Sequence, residues 1–140
     1  MASPDYGYKL GPTTIQTYPV KSGETWDNGD MLVLSSGYLA KAAAGGKVIG
    51  VAFGSVNTAP SADGDQFAQV HTSPESVFYY PVGTGTMTQA MQGTSCDISG
   101  AAGLDVTASA DDGWYILKPD VTNNAAWVTL RASIVAAGVV

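Results

Sequence analysis

Gly29-Asp30-Met31-Leu32-Val33-Leu34, then Gly37-Tyr38-Leu39-Ala40, then Lys47-Val48-Ile49-Gly50-Val51-Ala52 set the reading of this chain. Each is a short apolar run bounded by glycine or small polar residues. Apolar runs of about 4–8 residues between turn formers read as strands, whereas helices usually need about 10–12 residues. Seventeen glycines and seven prolines in 140 residues carry the argument to the rest of the chain, because both residues destabilise helix interiors. The expected fold class is all-β.

Working outward, strands are expected at Thr13–Tyr18, Met31–Leu34, Tyr38–Lys41, Lys47–Phe53, Gln66–His71, Val77–Val82, Gly113–Leu117 and Ala126–Ala132. Leu104-Asp105-Val106-Thr107 is a further short candidate. Alternation is clearest near the end: Trp127, Thr129 and Arg131 fall on one face, and Val128, Leu130 and Ala132 on the other. Asp27-Asn28-Gly29-Asp30, Ser35-Ser36-Gly37, Ala44-Gly45-Gly46 and Ala110-Asp111-Asp112-Gly113 supply residues that tolerate tight turns. Asn57 to Asp65 reads as a longer surface loop, and Thr86–Gln92, closed by Gly93, as a helical turn. Residues 1–12 differ in kind. Pro4, Gly7, Gly11 and Pro12 interrupt regular structure while Tyr6, Tyr8 and Leu10 alternate. They read as an extended N-terminal arm that orders on a neighbour, or as a frayed terminus. Residues 13–140 are expected to form a single β-rich domain, in line with common domain sizes of about 100–150 residues.

Only 13% of residues are charged, against about 25% in an average soluble domain. A largely neutral surface suits a subunit that packs against copies of itself or against a lattice. The basic residues Lys9, Lys21, Lys41, Lys47, Lys118 and Arg131 are scattered, and the formal net charge is −6. Nucleic-acid binding needs clustered cations to displace counterions from phosphates, so no nucleic-acid partner is expected. Net negative charge argues equally against anionic membranes. The N-terminus shows no basic segment followed by an apolar one, so no secretory leader is expected. The apolar stretch Ile134–Val140 is far shorter than the ~20 residues a membrane helix requires.

Residues with chemical potential are few. Cys96 is the only cysteine, which excludes an internal disulfide and a cysteine-based zinc site, and it reads as a small buried apolar residue. His71 is the only histidine, and any nucleophile–base pair would need it; it reads as structural. Gly93-Thr94-Ser95-Cys96-Asp97 begins like a nucleophile elbow but has Asp97 at the closing glycine position. Gly83-Thr84-Gly85 opens like a dinucleotide loop but has Thr88 at the third glycine position. Asp63/Asp65 and Asp111/Asp112 are conceivable calcium ligands, and read as solvated turns. No enzymatic activity, metal or cofactor is expected. Trp114 and Trp127, within strands, are expected in a core or subunit interface. Trp26 and Tyr38 are the candidate surface or interface aromatics.

The segment Val20–Gly54 resembles the head decoration (cement) proteins of lambda-like tailed bacteriophages. The shared pattern is a Gly-Asp step, an apolar strand, a Gly-x-Leu strand, a variable turn and an Ile-Gly-Val-Ala strand. Here these are Gly29-Asp30-Met31-Leu32-Val33-Leu34, Gly37-Tyr38-Leu39-Ala40 and Val48-Ile49-Gly50-Val51-Ala52. The pattern covers about a quarter of the chain. Gln69-Val70-His71 and Trp114-Tyr115-Ile116-Leu117 fit it more loosely. The resemblance implies a small β-barrel or β-tulip-like subunit that forms homotrimers on the exterior of the virion capsid. There it binds the major capsid protein and stabilises the expanded shell, after synthesis in the host cytoplasm. The resemblance also implies a shell contact through the N-terminal segment, with Asp5, Tyr6, Tyr8, Lys9, Leu10, Thr13, Thr14 and Ile15 as the contact residues. The β-branched run Thr13-Thr14-Ile15-Gln16-Thr17 suits strand addition. The alternative reading is a carbohydrate- or cell-surface-binding β module of a phage fibre or secreted protein, using exposed Trp26 and Tyr38.

Overall fold

The computed structural model describes residues 6–12, 14–44, 46–73, 75–108 and 114–130. Its regular elements are β1 (Gly7–Leu10), β2 (Ile15–Pro19), β3 (Met31–Ser35), β4 (Tyr38–Lys41), β5 (Gly50–Ala52), β6 (Phe67–His71), β7 (Val77–Thr84), a 3₁₀ turn (Gln89–Met91), β8 (Ser95–Gly100), β9 (Gly103–Asp105), β10 (Trp114–Asp120) and β11 (Ala125–Leu130). The fold is all-β, built from two sheets.

The six-stranded sheet has the order β1-β7-β11-β10-β8-β9, and β9 also pairs in parallel with β7. Pairing therefore runs in a ring from β7 through β11, β10, β8 and β9 back to β7. One edge of β7 is divided: Val77–Tyr79 pair with β1, and Val82 and Thr84 with β9. The five-stranded sheet has the order β2-β6-β5-β3-β4. A parallel bridge between Val20 and Leu39 brings its two ends together.

The opening apolar runs lie between two cores. Met31, Val48 and Val51 join Phe78, Tyr80 and Trp114 in one buried cluster. Their sequence neighbours Leu32, Ile49 and Ala52 join Val20, Trp26, Leu39 and Val70 in the other. Successive strand residues point to opposite faces, so β3 and β5 are covered on both sides. Strands covered on both sides read as continuous apolar runs, without the polar–apolar alternation of a half-solvated strand.

Several elements differ from expectation. β5 is only Gly50–Ala52, shorter than the expected Lys47–Phe53, although Ile49 N–H still bonds to Leu32 O at 3.0 Å just before it. β10 continues to Asp120 through a register shift between Ile116 and Lys118. β1 and β8 were not anticipated, and β9 overlaps the short candidate at Leu104–Thr107. The helical turn is confined to Gln89–Met91. In β11, Val128 and Leu130 are buried and Trp127 and Thr129 half-buried, as the alternation requires. Arg131, Ala132 and the apolar stretch Ile134–Val140 lie outside the described residues.

Candidate functional site

The N-terminal segment meets the rest of the molecule at the seam between the sheets. The expected arm folds back on its own chain over residues 6–12: Gly7 and Tyr8 pair with Tyr79 and Phe78. Gly11 ends this strand with φ +106°, and a Cβ there would stand 2.9 Å from Ser76 Cα. The turn out of β1 therefore favours glycine by both conformation and space. Beyond it, Ile15 pairs with His71 at the start of β2. Strand formation by the β-branched run thus takes place within the chain, against β6.

Among the expected contact residues, Tyr8, Lys9, Leu10 and Thr14 are exposed, and Tyr6 and Ile15 half-buried. Asp5 and Thr13 lie outside the described residues. Tyr8 is 41% and Leu10 60% exposed, although both are large apolar side chains. Among the described residues no strand pairs with the outer edge of β1.

Tyr6 anchors the segment. Its hydroxyl donates to Asp30 Oδ1 at 2.8 Å, and its ring stacks on Tyr80 with centroids 5.7 Å apart. Burial, and then the Asp30 carboxylate, push the Tyr6 hydroxyl pKa up to about 12. Tyr80 is fully buried and donates to Gly29 O at 2.6 Å. Asp30, itself buried, also accepts Asp27 N–H at 3.0 Å and lies 3.8 Å from Lys41 Nζ. These partners supply the hydrogen bonding that a buried carboxylate requires.

Tyr6, Tyr8, Asn28, Phe53 and His71 border a cleft of about 180 Å³ beside β1. Phe53 is 51% exposed. His71 is 1% exposed, with Nε2 lying 3.0 Å from Pro12 O and 3.1 Å from Ser76 Oγ. Pro12 O can only accept, which assigns the ring proton to Nε2. The Ser76 hydroxyl is fully buried and also donates to Pro12 O. This His–Ser contact pins the turn after β1 to the sheet. With its proton on Nε2, the ring has no lone pair facing the hydroxyl and cannot take its proton as a general base would. Tyr8 and Phe78 flank the imidazole at centroid distances of 4.8 and 5.1 Å. Burial lowers the His71 pKa, and the Pro12 carbonyl partly opposes that shift.

Trp26 is not a surface aromatic. It is 3% exposed and packs in the second core, because reciprocal backbone hydrogen bonds with Val56, at 3.1 and 2.9 Å, draw the turn inward. Tyr38 is half-buried in the β3–β4 hairpin, opposite Ser35. Trp114 is fully buried, and its indole N–H donates to Met31 Sδ at 3.2 Å. Trp127 is half-buried on the outer face of the six-stranded sheet, where it was expected in a core or interface. Tyr79 lies beside it at 5.0 Å, Lys118 sits 5.5 Å from its ring centre, and Lys9 sits 5.9 Å from that of Tyr79. This ladder crosses β1, β7, β11 and β10. The cross-strand register that assembles it is not readable from one strand at a time.

Cys96 is buried in the first core. Asp63 accepts Ser22 N–H at 2.8 Å and Asp65 the Ser61 hydroxyl at 3.1 Å, so each ties down its loop. The Ser22 amide is the main reason that the Asp63 pKa is lowered. Asp111 and Asp112 lie outside the described residues. Among the described residues no three His, Cys, Asp or Glu side chains gather as a metal site. The chain matches no protein-family model, no curated protein and no solved structure.

Proposed function

We propose that this chain is a structural protein of a tailed-bacteriophage virion. In this reading it binds as homotrimers to the major capsid protein on the capsid exterior, after synthesis in the host cytoplasm. It then stabilises the expanded shell. The observation that carries the reading is β1: a strand whose outer edge is unpaired among the described residues and that presents Tyr8 and Leu10 to solvent, next to exposed Phe53. An open edge offers backbone hydrogen bonds, and exposed apolar side chains add area to bury. The resemblance of Val20–Gly54 to cement proteins names the partner.

Stabilisation follows from mass action. A protein that binds the assembled shell, and not its separated subunits, favours assembly by RT ln(1 + [L]/Kd) at each site. Three contacts on one trimer raise the effective concentration of the second and third. The test is sedimentation of the purified protein with expanded tailed-phage capsids, with shell melting followed in parallel. Co-sedimentation and a raised melting temperature are expected, and both should be lost in Leu10→Asp. Shells left unbound at saturating protein, or bound equally by Leu10→Asp, would overturn the reading.

A further inference from the structure

Asp27–Asp30 form a turn closed by the Asp30 N–H, which donates to Asp27 O at 3.1 Å, with Asn28 and Gly29 at its centre. Gly29 has φ +92°, a left-handed conformation that glycine adopts without strain. It is buried, donates its N–H to Ala52 O at 3.0 Å and accepts the Tyr80 hydroxyl at 2.6 Å. Asn28 is exposed, but its Oδ1 accepts the Gly54 N–H at 2.8 Å. The N-terminal strand closes the inner side of the turn. A Cβ added at Gly29 would come within 3.2 Å of the Tyr6 ring, and one added at Gly7 within 3.3 Å of Gly29 Cα.

Asparagine is a thermolabile residue, and a following glycine, with no side chain, leaves its backbone nitrogen unshielded for attack on the side-chain amide. Here the Gly29 nitrogen would attack Asn28 Cγ. An N–Cγ bond forms, the Cγ–Nδ2 bond breaks, and ammonia leaves with the proton that the Gly29 nitrogen gives up. Water then opens the resulting five-membered succinimide at one of its two carbonyls, giving aspartate or isoaspartate. Isoaspartate runs the main chain through its own side chain and so lengthens the backbone by one methylene. In the folded chain the attacking nitrogen is tied to Ala52 and the amide it must reach is tied to Gly54.

We propose that Asn28–Gly29 is a site of spontaneous covalent modification, held closed while β1 is docked, and that its isoaspartate product cannot re-form the turn. An added methylene has no place where Gly29 already touches Tyr6 and Gly7. Without the turn, Tyr80 loses its acceptor and Tyr6 its packing surface, so β1 undocks. The proposal goes beyond the capsid reading and does not need it, so either can fail without the other.

The tryptic peptide Ser22–Lys41 contains Asn28 and no other asparagine, so its mass gain on exchange of amide for acid reads the reaction. The full chain is incubated in mildly alkaline buffer, both folded and unfolded in guanidinium chloride. Two hydrogen bonds on Gly29 must open before attack, and each shifts the opening equilibrium about fivefold or more. Conversion of the folded chain is therefore expected to be at least about 25-fold slower than that of the unfolded chain. Tyr80→Phe removes one of the two bonds and should speed conversion of the folded chain about five- to tenfold. If Tyr80→Phe does not fold, Tyr6→Phe, which loosens the strand at Asp30, should speed it likewise. The isoaspartate form, made in guanidinium chloride and refolded, should exchange the amide hydrogens of Gly7–Leu10 faster than the parent. Equal conversion of folded and unfolded chain would overturn the proposal. So would a rate unchanged in the folded variant, or an isoaspartate form that protects Gly7–Leu10 as the parent does.

Discussion

The Tyr6 hydroxyl donates to Asp30 Oδ1 at 2.8 Å, linking the N-terminal strand to the residue that leads into β3. Asp30 also holds the Asp27 amide and faces Lys41, so one buried carboxylate joins the N-terminus, the Gly-Asp turn and the end of β4.

Tyr6→Phe keeps the ring stacked on Tyr80 and removes only the donor. A hydrogen bond to a charged acceptor contributes about 1.5–3 kcal/mol, and Tyr6 is only half-buried. The expected loss of unfolding free energy is therefore near the lower end, about 1.5 kcal/mol. A fall in the urea midpoint at unchanged slope is the readout. An unchanged midpoint would show that Asp30 does not depend on Tyr6.

Alkaline pH should destabilise the fold. The pKa values of Tyr6 and Tyr79 are pushed up to about 12, first by burial and then by Asp30 and Asp120 respectively. An unfolded tyrosine ionises near pH 10, so the unfolded chain releases these protons first. Stability is then at its full value below about pH 10 and falls between about pH 10 and 12. Urea midpoints at stepped pH, read beside tyrosinate absorbance, should show this decline. A midpoint level to pH 12 would contradict it.

Acid acts through His71. Burial holds its pKa below the ordinary value, so the unfolded chain takes up the proton first. Stability is retained above about pH 6.5 and lost as pH falls from there through the depressed folded value. The slope should reach at most about 1.4 kcal/mol per pH unit. His71→Gln should flatten this limb. An equally steep limb in that variant would assign the effect to carboxylates.

Gly50 lies where two strands meet closely. A Cβ there would stand 2.5 Å from His71 O and 2.6 Å from a Val70 methyl. One of these atoms is backbone, so Gly50→Ala has to displace β6. The expected cost is about 1–3 kcal/mol, the usual range for overpacking. A thermal melt of the variant checks it.

Fold class and core were largely legible from local signals. Met31–Leu34 and Val48–Ala52 show strand content in their length and apolar continuity; strand position pointed Trp114 and Trp127 alike to a core or interface, and of the two Trp114 is the one in the core. Tyr8, Lys9 and Leu10, read as part of an extended arm, lie instead on a short strand paired with β7. Three features were decided by distant partners. Gly7–Leu10 becomes a strand because Val77–Tyr79 offers it an edge. Trp26 reads as a turn residue beside glycine and aspartate, yet Val56 pulls it inward from across the sheet. The ladder from Lys9 to Lys118 likewise needs the register of four strands before its members become neighbours.

The shared edge of β7 also constrains the order of assembly during synthesis. The first strand emerges from the ribosome long before its partner Val77–Tyr79 exists, and β9, which occupies the rest of that edge, comes later still. Until β7 appears, the nascent chain carries Tyr8 and Leu10 on an unclaimed strand, open to pairing with a neighbouring copy on the same polysome. Non-local pairings of this kind slow folding and prolong exposure to aggregation. The Gly11-Pro12 step, a poor continuation for an extended ladder, keeps that early strand short while it waits.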